Sequence, residues 1–440
     1  MIIEIDKKRP YLFIVEIMLF LLLFQGFFID LGCTTNIKYI LDILNIALFS
    51  FVLNEKYKCN GDKNDVKFIV LLYGALIGLG LCSTIFNIFN YKFNLINITL
   101  DLRNYIRFPM FFISCKLLLD EKDYLKIYNN LIWYQLINTV AIIYQYCTVT
   151  VFDYWMRGDY LNGFFGTRRG GNLFVNVLMV IVLIFCLNQF LTKKMGGKKF
   201  GFIIGTCLLD ATLIELKFFY IEFVLCFIMM YVFHGKFKNL TREKIKKGAI
   251  IIGASCIGWF ILIEILYKIY PWMRGSMNLT QIISNSLSSE GYTGSGDFNR
   301  LNAVSGVFSV CFKGNIFKGL FGVGIGNAYS GGASLSAFAK KFSYTNYTWF
   351  QSSYVFSEVG LIGLALYVST FILIFIKSKN SKYSDIAKTM VLVSLSLIIY
   401  DEVLKTEAAY LVYLTLSFYF MKKRVSSDGK CNIECNNSNI

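Results

Sequence analysis

Long apolar stretches recur along the whole of the 440-residue chain, and this repetition limits what the chain can fold into. A transmembrane helix needs about 20 predominantly apolar residues, and soluble domains do not carry run after run of that length. Suitable stretches lie at 11–29, 37–53, 68–89, 104–119, 127–150, 172–191, 201–216, 218–234, 248–270, 351–376, 387–404 and 407–421. The sequence therefore predicts an all-α polytopic membrane protein with about 12 transmembrane helices.

Lysine-rich segments between these stretches indicate their orientation. If the N-terminus is cytoplasmic, alternate crossing places NEKYKCNGDKNDVK, DEKDYLK, TKKMGGKKF, GKFKNLTREKIKK and KSKNSKYSDIAK in the cytoplasm, in agreement with the positive-inside rule. Both termini, including the tail 425–440, are then cytoplasmic, and residues 1–440 form a single integral membrane domain. These loops also explain the formal net charge of +16, so we predict no nucleic-acid partner.

The opposite face receives two larger loops, 151–171 and 271–350, the second of which joins the ninth and tenth spans. This second loop is rich in Gly, Ser and Asn but also contains apolar segments such as VFSVCF. We therefore expect a large, partly helical extracytoplasmic loop that covers the bundle.

The cysteines and the histidine do not have the spacing of a metal site. The 12 cysteines lie mostly singly inside apolar stretches, and no pair of CxxC motifs is present. The single histidine, His234, ends an apolar stretch beside a lysine-rich loop, which is typical of an interfacial residue. We predict neither a metal nor a cofactor.

Arginine is distributed differently from lysine. Of the ten arginines, only Arg9, Arg242 and Arg424 fall in predicted cytoplasmic segments. The others fall outside or at the outer boundary, and they are Arg103, Arg107, Arg157, Arg168, Arg169, Arg274 and Arg300. Each of them could contact lipid headgroups or pair with a carboxylate such as Asp159. Because arginine suits bidentate binding of phosphate, the group as a whole predicts an anionic substrate at the outer face.

Three further features could carry chemistry at that face. Lys217 lies in the outer turn of DATLIELKFFYIEF, where it is either a functional charge or an interfacial anchor beside Glu215. Glu358, near the outer end of the tenth span, could hold an arginine or act as a base, and Asp30 is a weaker acidic candidate. The glycines of FGVGIGNAYSGG could let the backbone approach a phosphate or sugar, or could form a flexible loop. No strand–helix unit surrounds these glycines, which excludes a dinucleotide site.

Together, GFFGTRRGGN in the middle outer loop, LIELKFF, an arginine before GLFGVGIGNAY, and WFQSSYVFSEVGLIGL resemble the O-antigen ligase/polymerase superfamily. Members of this superfamily are bacterial membrane enzymes of surface-polysaccharide assembly, with about a dozen spans and a large outer loop. The resemblance implies a location in the bacterial cytoplasmic membrane. It also implies undecaprenyl-pyrophosphate-linked glycans as substrates, without a nucleotide or an obligatory metal.

The resemblance implies roles for individual residues as well. Arg168 or Arg169 matches the arginine of the family's middle outer loop, which corresponds here to 151–171 and is called the middle loop. Lys217 stands where ligases often have arginine. Arg300 matches the arginine of the family's late outer loop, which corresponds here to 271–350 and is called the late loop. Glu358 matches the acidic residue of an E-x-G motif that follows this loop. The implied catalytic residues are Arg168, Arg169, Lys217, Arg300 and Glu358, and the implied substrate-binding residues are Arg157, Asn172, Arg274, Gly324 and Gly326.

One departure from the family distinguishes its branches. Ligases usually carry a His-Asn pair where this chain has Trp349 and Phe350, and the single histidine, His234, is assigned to the inner face. The polymerase branch, called Wzy-type, does not have this histidine as a hallmark. The departure therefore favours a polymerase over a ligase.

The implied reaction is glycosyl transfer at the outer face by a metal-independent polymerase of O-antigen or capsule. A growing glycan would leave undecaprenyl pyrophosphate and join a lipid-linked repeat unit. The implied partners are the lipid-linked oligosaccharide and polymer, membrane lipids, and flippase and chain-length regulator proteins. The alternatives are a ligase-like transferase to another acceptor, a lipid-linked oligosaccharide flippase, and a structural scaffold of an export complex. A flippase is expected to show internal repeats, which the two halves of the sequence do not show.

Overall fold

The structure, a computed structural model, is helical in the part of the chain that it describes, with no strand among those residues. The described residues are 9–33, 36–54, 64–87, 89–91, 94–149, 158–168, 170–234, 296–331, 335–378 and 383–418, with isolated positions between 253 and 291. Several predicted features lie outside them, namely Arg157, Arg169, Arg274, the tail 425–440 and, apart from isolated positions, the span 248–270.

The helices are numbered here in chain order. They are α1 Pro10–Leu23, α2 Gln25–Asp30, α3 Ile37–Leu53, α4 Asn64–Phe86, α5 Leu95–Leu118, α6 Glu121–Thr148, α7 Gly171–Leu191, α8 Gly197–Leu213, α9 Lys217–His234, α10 Ala303–Gly306, α11 Ile316–Phe321, α12 Ala337–Phe342, α13 Gln351–Lys377, α14 Ser384–Tyr400 and α15 Ala409–Ser417. A π-helical turn, Val307–Cys311, follows α10 directly, and short 3₁₀ turns connect several of the other elements.

Within the described ranges, each predicted span coincides with one helix or with two consecutive helical segments. Among the residues that the structure describes, four helical segments are long and apolar enough to cross a membrane, and these are Val66–Phe86, Gly171–Leu191, Lys217–His234 and Gln351–Lys377. Helix α1 is apolar as well but shorter. The chain is therefore a helical protein whose apolar helices indicate a membrane location.

Two helices begin earlier than hydropathy predicts, because polar residues cap them. Helix α5 starts at Leu95 instead of near residue 104, and the Asn94 side chain accepts hydrogen bonds from the next turn, including one of 3.0 Å from the Ile96 N–H. Helix α6 starts at Glu121, where Asp120 and Asp123 form a reciprocal capping box. Such caps satisfy orphan backbone donors, so polar residues begin these helices.

The two ends of the helix bundle differ in their polar contacts. At one end, Arg9 pairs with Asp120 at 3.0 Å and with Asp123 at 2.8 Å, and His234 contacts Asp385 at 3.1 Å. This is the end at which the lysine-rich loops are predicted. The opposite end is named the outer end, in accordance with the predicted topology. It carries the C-terminus of α2, the N-termini of α5, α7 and α9, and the turn 400–406 that follows α14.

Helix α13 is broken near its outer end. Gly360 has φ 65° and ψ −166°, which is not a helical conformation. The segment that follows α11 enters this break, where the Val323 N–H donates to the Ser357 carbonyl at 2.9 Å and the Gly324 N–H donates to the Glu358 carbonyl at 2.8 Å. Non-helical backbone at membrane depth is tolerated where other protein groups satisfy it, and this loop supplies such groups.

The described part of the predicted loop 271–350 has its own apolar core. Short helices α10 to α12 and the 3₁₀ turns between residues 343 and 349 surround it. Its buried members include Phe298, Phe312, Phe338, Tyr347 and Phe356, the last of which belongs to α13. The loop therefore packs onto α13 as an ordered layer.

Candidate functional site

A cavity of about 200 Å³ lies at the outer end of the bundle. It forms where α2, the loop 158–170, the first turn of α7 and the turn 400–406 meet. The polar side chains that line it are Gln25, Asp30, Arg168, Glu402 and Thr406, and its apolar lining includes Phe165 and Phe174. The cavity thus combines one fixed positive charge with two carboxylates and aromatic rings.

Arg168 is exposed at this cavity. Its backbone carbonyl is held by the Asn162 side chain at 3.0 Å and by the Gly171 N–H at 3.4 Å. Within the described residues, no carboxylate lies at ion-pair distance from its guanidinium. The loop therefore fixes the Arg168 backbone and leaves the cation available to an anion.

Arg300, from the late loop, lies against the same turn. Its Nε donates to the Tyr400 carbonyl at 3.2 Å, and its guanidinium lies 4.1 Å from the centre of the Tyr400 ring. The Tyr400 ring stacks in turn on Phe218, with 3.5 Å between centroids. Cation–π contact and stacking therefore orient the Arg300 guanidinium at the outer end.

Lys217 lies close by, because it begins α9 and precedes Phe218. Its side chain is half-buried. The turn before it packs on the middle loop, where a Cβ on Gly158 would overlap the Ile214 carbonyl. Arg168, Arg300 and Lys217 are thus brought around the turn 400–406, although they are distant in sequence.

Asn172, the predicted substrate-binding residue of the middle loop, is used within the loop itself. Its side-chain amide donates to Asp159 at 3.1 Å. This contact fixes the start of α7 against residues 158–160. Asn172 therefore supports the loop that presents Arg168.

Two of the outward arginines are held in ion pairs. Arg103 pairs with Asp42, and Arg107 pairs with Glu407 at 2.9 Å. Arg107 also donates to the Lys405 carbonyl at 2.6 Å. These pairs correspond to the structural alternative for an outward arginine, whereas Arg168 lines the cavity and Arg300 lies against the adjoining turn.

Glu358 lies deep in the protein and is fully buried. Its Oε2 accepts a hydrogen bond from the Tyr105 hydroxyl at 2.8 Å, and its carboxyl also neighbours Asp101. The Glu358 backbone carbonyl accepts from Gly324, as described above. This placement favours a holding role for Glu358, since a base for an external hydroxyl has to reach the substrate.

Gly324 and Gly326, which were predicted to bind substrate, pack against neighbouring helices. Both have positive φ, +100° and +84°. A Cβ on Gly324 would overlap the Thr84 backbone, and one on Gly326 would lie 2.7 Å from the Ile98 Cα. The glycines therefore allow the loop to pass between α4 and α5, and their N–H groups are used inside the protein.

Asp101 joins the glycine loop to α13. Its Oδ2 accepts from the Gly326 N–H at 2.7 Å and its Oδ1 accepts from the Tyr354 hydroxyl at 2.6 Å, and the carboxylate is fully buried. Tyr329, farther along the loop, lies between this carboxylate and the cation Arg107. Burial, followed by the charge of Asp101, raises the pKa of the Tyr329 phenol, and Arg107 opposes that rise.

Asp101→Ala is expected to lower stability by about 2–5 kcal/mol, because it leaves two buried donors unsatisfied at roughly 1–3 kcal/mol each. Thermal unfolding of the purified protein in detergent, followed by tryptophan fluorescence, measures the effect. Thr99→Ala is the matched control, since Thr99 is exposed on the same helix and its hydroxyl bonds only to the Leu95 carbonyl. An unchanged midpoint for Asp101→Ala would show that Asp101 does not hold the loop.

Sequence reasoning did not single out Asp101 or Asp42. Both are acidic residues inside or next to apolar stretches, and such residues are expected to be paired and important. That signal was present in the sequence. Their partners, however, come from helices far along the chain, which no local pattern indicates.

Comparison of the chain with protein-family models, with curated proteins and with solved structures gave no match. Among the described residues, no group of three or more His, Cys, Asp or Glu is placed to hold a metal ion. The site itself consists of an outer cluster of cations beside a small cavity with carboxylates.

Proposed function

We propose that the chain is a polysaccharide polymerase of the O-antigen ligase/polymerase superfamily. It transfers a growing glycan from undecaprenyl pyrophosphate onto a lipid-linked repeat unit at the outer face of the bacterial cytoplasmic membrane. The observation that carries the proposal is the clustering of Arg168, Arg300 and Lys217 around the turn 400–406. These cations come from three separate parts of the chain, as expected for residues that bind one ligand.

The proposed topology has 12 spans that cross alternately, with both termini in the cytoplasm. The contacts support it, because the predicted cytoplasmic segments and the predicted outer segments meet at opposite ends of the bundle. The cation cluster then faces the compartment in which surface glycans are assembled. Lysine in the cytoplasmic loops serves orientation, whereas Arg168 and Arg300 serve the substrate.

The cations would stabilise the leaving group. The bond that breaks joins the anomeric carbon of the donor to the pyrophosphate, so negative charge grows on the pyrophosphate in the transition state. Arginine binds phosphoryl oxygens in a bidentate manner, and Lys217 adds a third positive charge. A cavity of about 200 Å³ is smaller than a typical drug-sized pocket and suits one sugar ring or one phosphoryl group.

The choice between polymerase and ligase rests on the late loop. Trp349 and Phe350 stand where ligases usually have His and Asn, and Phe350 is buried in the core of that loop. A buried phenylalanine cannot replace a polar acceptor-binding residue. The polymerase is therefore the better proposal, while the donor chemistry is common to both enzymes.

A flippase is the transport alternative, and broken helices are typical of transporters. The break in α13 at Gly360 is filled by the protein's own backbone, as a Cβ at Gly360 would overlap the Leu320 carbonyl. The Ser357 and Glu358 carbonyls at the break accept hydrogen bonds from this loop, so that half-helix end is used internally.

Arg300→Ala is expected to shorten the surface glycan of a host strain in which it replaces the wild-type gene, because elongation loses one contact to the leaving group. Loss of one such contact commonly slows a reaction by about 10²–10³-fold. Gel electrophoresis of the glycan should show fewer long chains and an accumulation of single-repeat products. Arg300→Lys keeps the charge and is the matched control, with an intermediate length expected.

Two other outcomes would count against the proposal. Unchanged long chains with Arg300→Ala would remove the leaving-group role. Lipid-linked repeats trapped on the cytoplasmic leaflet would identify a flippase defect instead.

A further inference from the structure

Asp30 differs from the other acidic residues near the cation cluster. It ends α2 and lines the same cavity as Arg168. Its Oδ2 accepts two hydrogen bonds from Thr167, one from the N–H at 2.9 Å and one from the hydroxyl at 3.2 Å. Its Oδ1 has no hydrogen-bond partner within the described ranges. One carboxylate oxygen of this exposed side chain is thus fixed, while the other has no partner among the described residues.

The backbone around Asp30 is held closely against the middle loop. A Cβ on Gly26 would overlap the Phe165 carbonyl, so only glycine permits this approach of α2 to the loop. Gly166, which follows Phe165, has φ +96°, a conformation that side chains other than glycine rarely adopt. The position of α2, which carries Asp30, relative to this loop is therefore set by backbone packing. Fixed geometry of this kind is what a reacting pair requires.

The other carboxylates of this region are already in use. Glu402 lines the cavity but pairs with Lys405 at 2.7 Å. Asp159 accepts the Asn172 amide, and Glu358 is buried against Tyr105. Of the two carboxylates among the described residues that line the cavity, Asp30 is the one that is held by the loop carrying Arg168.

We propose that Asp30 is the general base of the transfer, a proposal that rests on the proposed function. The acceptor hydroxyl would bind in the cavity with its proton directed at Asp30 Oδ1. As its oxygen forms the bond to the anomeric carbon of the donor, the bond from that carbon to the pyrophosphate breaks. The proton passes to Asp30 and then to water, and the electron pair leaves with undecaprenyl pyrophosphate. Arg168, across the cavity, stabilises that leaving charge.

Asp30→Asn is expected to slow elongation by about 10²–10⁴-fold, the usual contribution of a general base. The measurement uses the full-length protein in proteoliposomes with lipid-linked repeat units extracted from the host strain. Asp30→Glu keeps the base but displaces it, so it should recover part of the rate. Thr167→Ala removes one of the two bonds to Oδ2 and should slow elongation less than Asp30→Asn does. A purely structural Asp30 would not give this order of rates at equal thermal stability.

Binding of undecaprenyl pyrophosphate separates failure of this inference from failure of the proposed function. Asp30→Asn should bind this probe about as tightly as the wild type, because the base does not contact the lipid pyrophosphate, whereas Arg168→Ala should bind it more weakly. A wild-type elongation rate for Asp30→Asn would overturn the role of Asp30 and leave the polymerase intact. A wild-type protein that neither binds the probe nor elongates glycan would overturn the polymerase itself.

The test does not depend on a single variant. If Asp30→Asn does not fold, the elongation rates of Asp30→Glu and Thr167→Ala test the role of Asp30 instead, since both variants retain a carboxylate. Slower elongation with unchanged probe binding is expected for both. Wild-type rates in both would overturn the assignment.

Discussion

Replacing Gly324 by alanine is expected to leave little folded protein. Gly324 has φ +100°, and a Cβ there would overlap the Thr84 backbone in α4. The left-handed conformation costs a non-glycine residue about 1–2 kcal/mol. Overpacking adds about 1–3 kcal/mol, and more where the neighbour is backbone that cannot move aside. A loss of about 3–5 kcal/mol is a large part of the roughly 5–15 kcal/mol that stabilises a typical protein.

Yield after membrane extraction and the thermal midpoint in detergent measure this effect. Gly78→Ala is the matched control, since Gly78 lies in the same helix that Gly324 contacts and has nothing within 4 Å of an added Cβ. Alanine at an exposed helical site is expected to be neutral or to stabilise by up to about 1 kcal/mol. If Gly324→Ala and Gly78→Ala gave equal yields and midpoints, the loop would not be packed against α4 as the structure has it.

The helices could be predicted because hydropathy reports them directly. Helix α7 shows this best, since its predicted span 172–191 and its observed range Gly171–Leu191 nearly coincide. The starts of α5 and α6 could not be predicted in the same way. There, Asn94 and Asp120 begin the helix with polar caps, and hydropathy scores such residues as loop.

The cations of the site could be predicted from residue type and side of the membrane, whereas their grouping could not. Arg300 and the start of α9 at Lys217 are joined by the stack of Tyr400 on Phe218, and Arg168 shares a cavity with Glu402 of the next turn. No periodicity in the sequence indicates such a contact. Only the folded chain shows that Arg103 and Arg107 are held in ion pairs and that Arg168 lines the cavity.

The glycine motif and Glu358 illustrate the same limit. In sequence they are two short motifs that each suggest a ligand. In the structure they are one unit, in which the loop backbone binds the broken turn of α13 and Asp101 binds the loop. A chain that buries a loop among helices needs glycine and internal acceptors for that purpose alone. Motifs of this kind can therefore be required for folding without contacting substrate.

Arg168→Ala combined with Arg300→Ala is expected to reduce elongation by about 10⁴-fold or more, because each single loss costs about 10²–10³-fold and the two arginines come from separate loops. Free energies of independent contacts add, so their rate factors multiply. Initial rates of chain elongation in proteoliposomes give the four corners of the double-mutant cycle. Thermal midpoints should change little for Arg168→Ala, since its side chain is exposed and has no ion-pair partner within the described part of the chain.

The control removes two positive charges from the loop 271–350, which also carries Arg300, without touching the cluster. Lys340→Ala with Lys341→Ala takes away two exposed lysines of α12, and rates should stay within roughly twofold of the wild type, as for most surface substitutions. If the arginine pair and this lysine pair had equal effects, the outer face would need only general positive charge. If the double arginine variant were no slower than either single one, the two guanidiniums would not act on separate phosphoryl groups. If the rate losses of the two arginine variants multiply and the lysine variant keeps its rate, both arginines bind the pyrophosphate, each through its own contact.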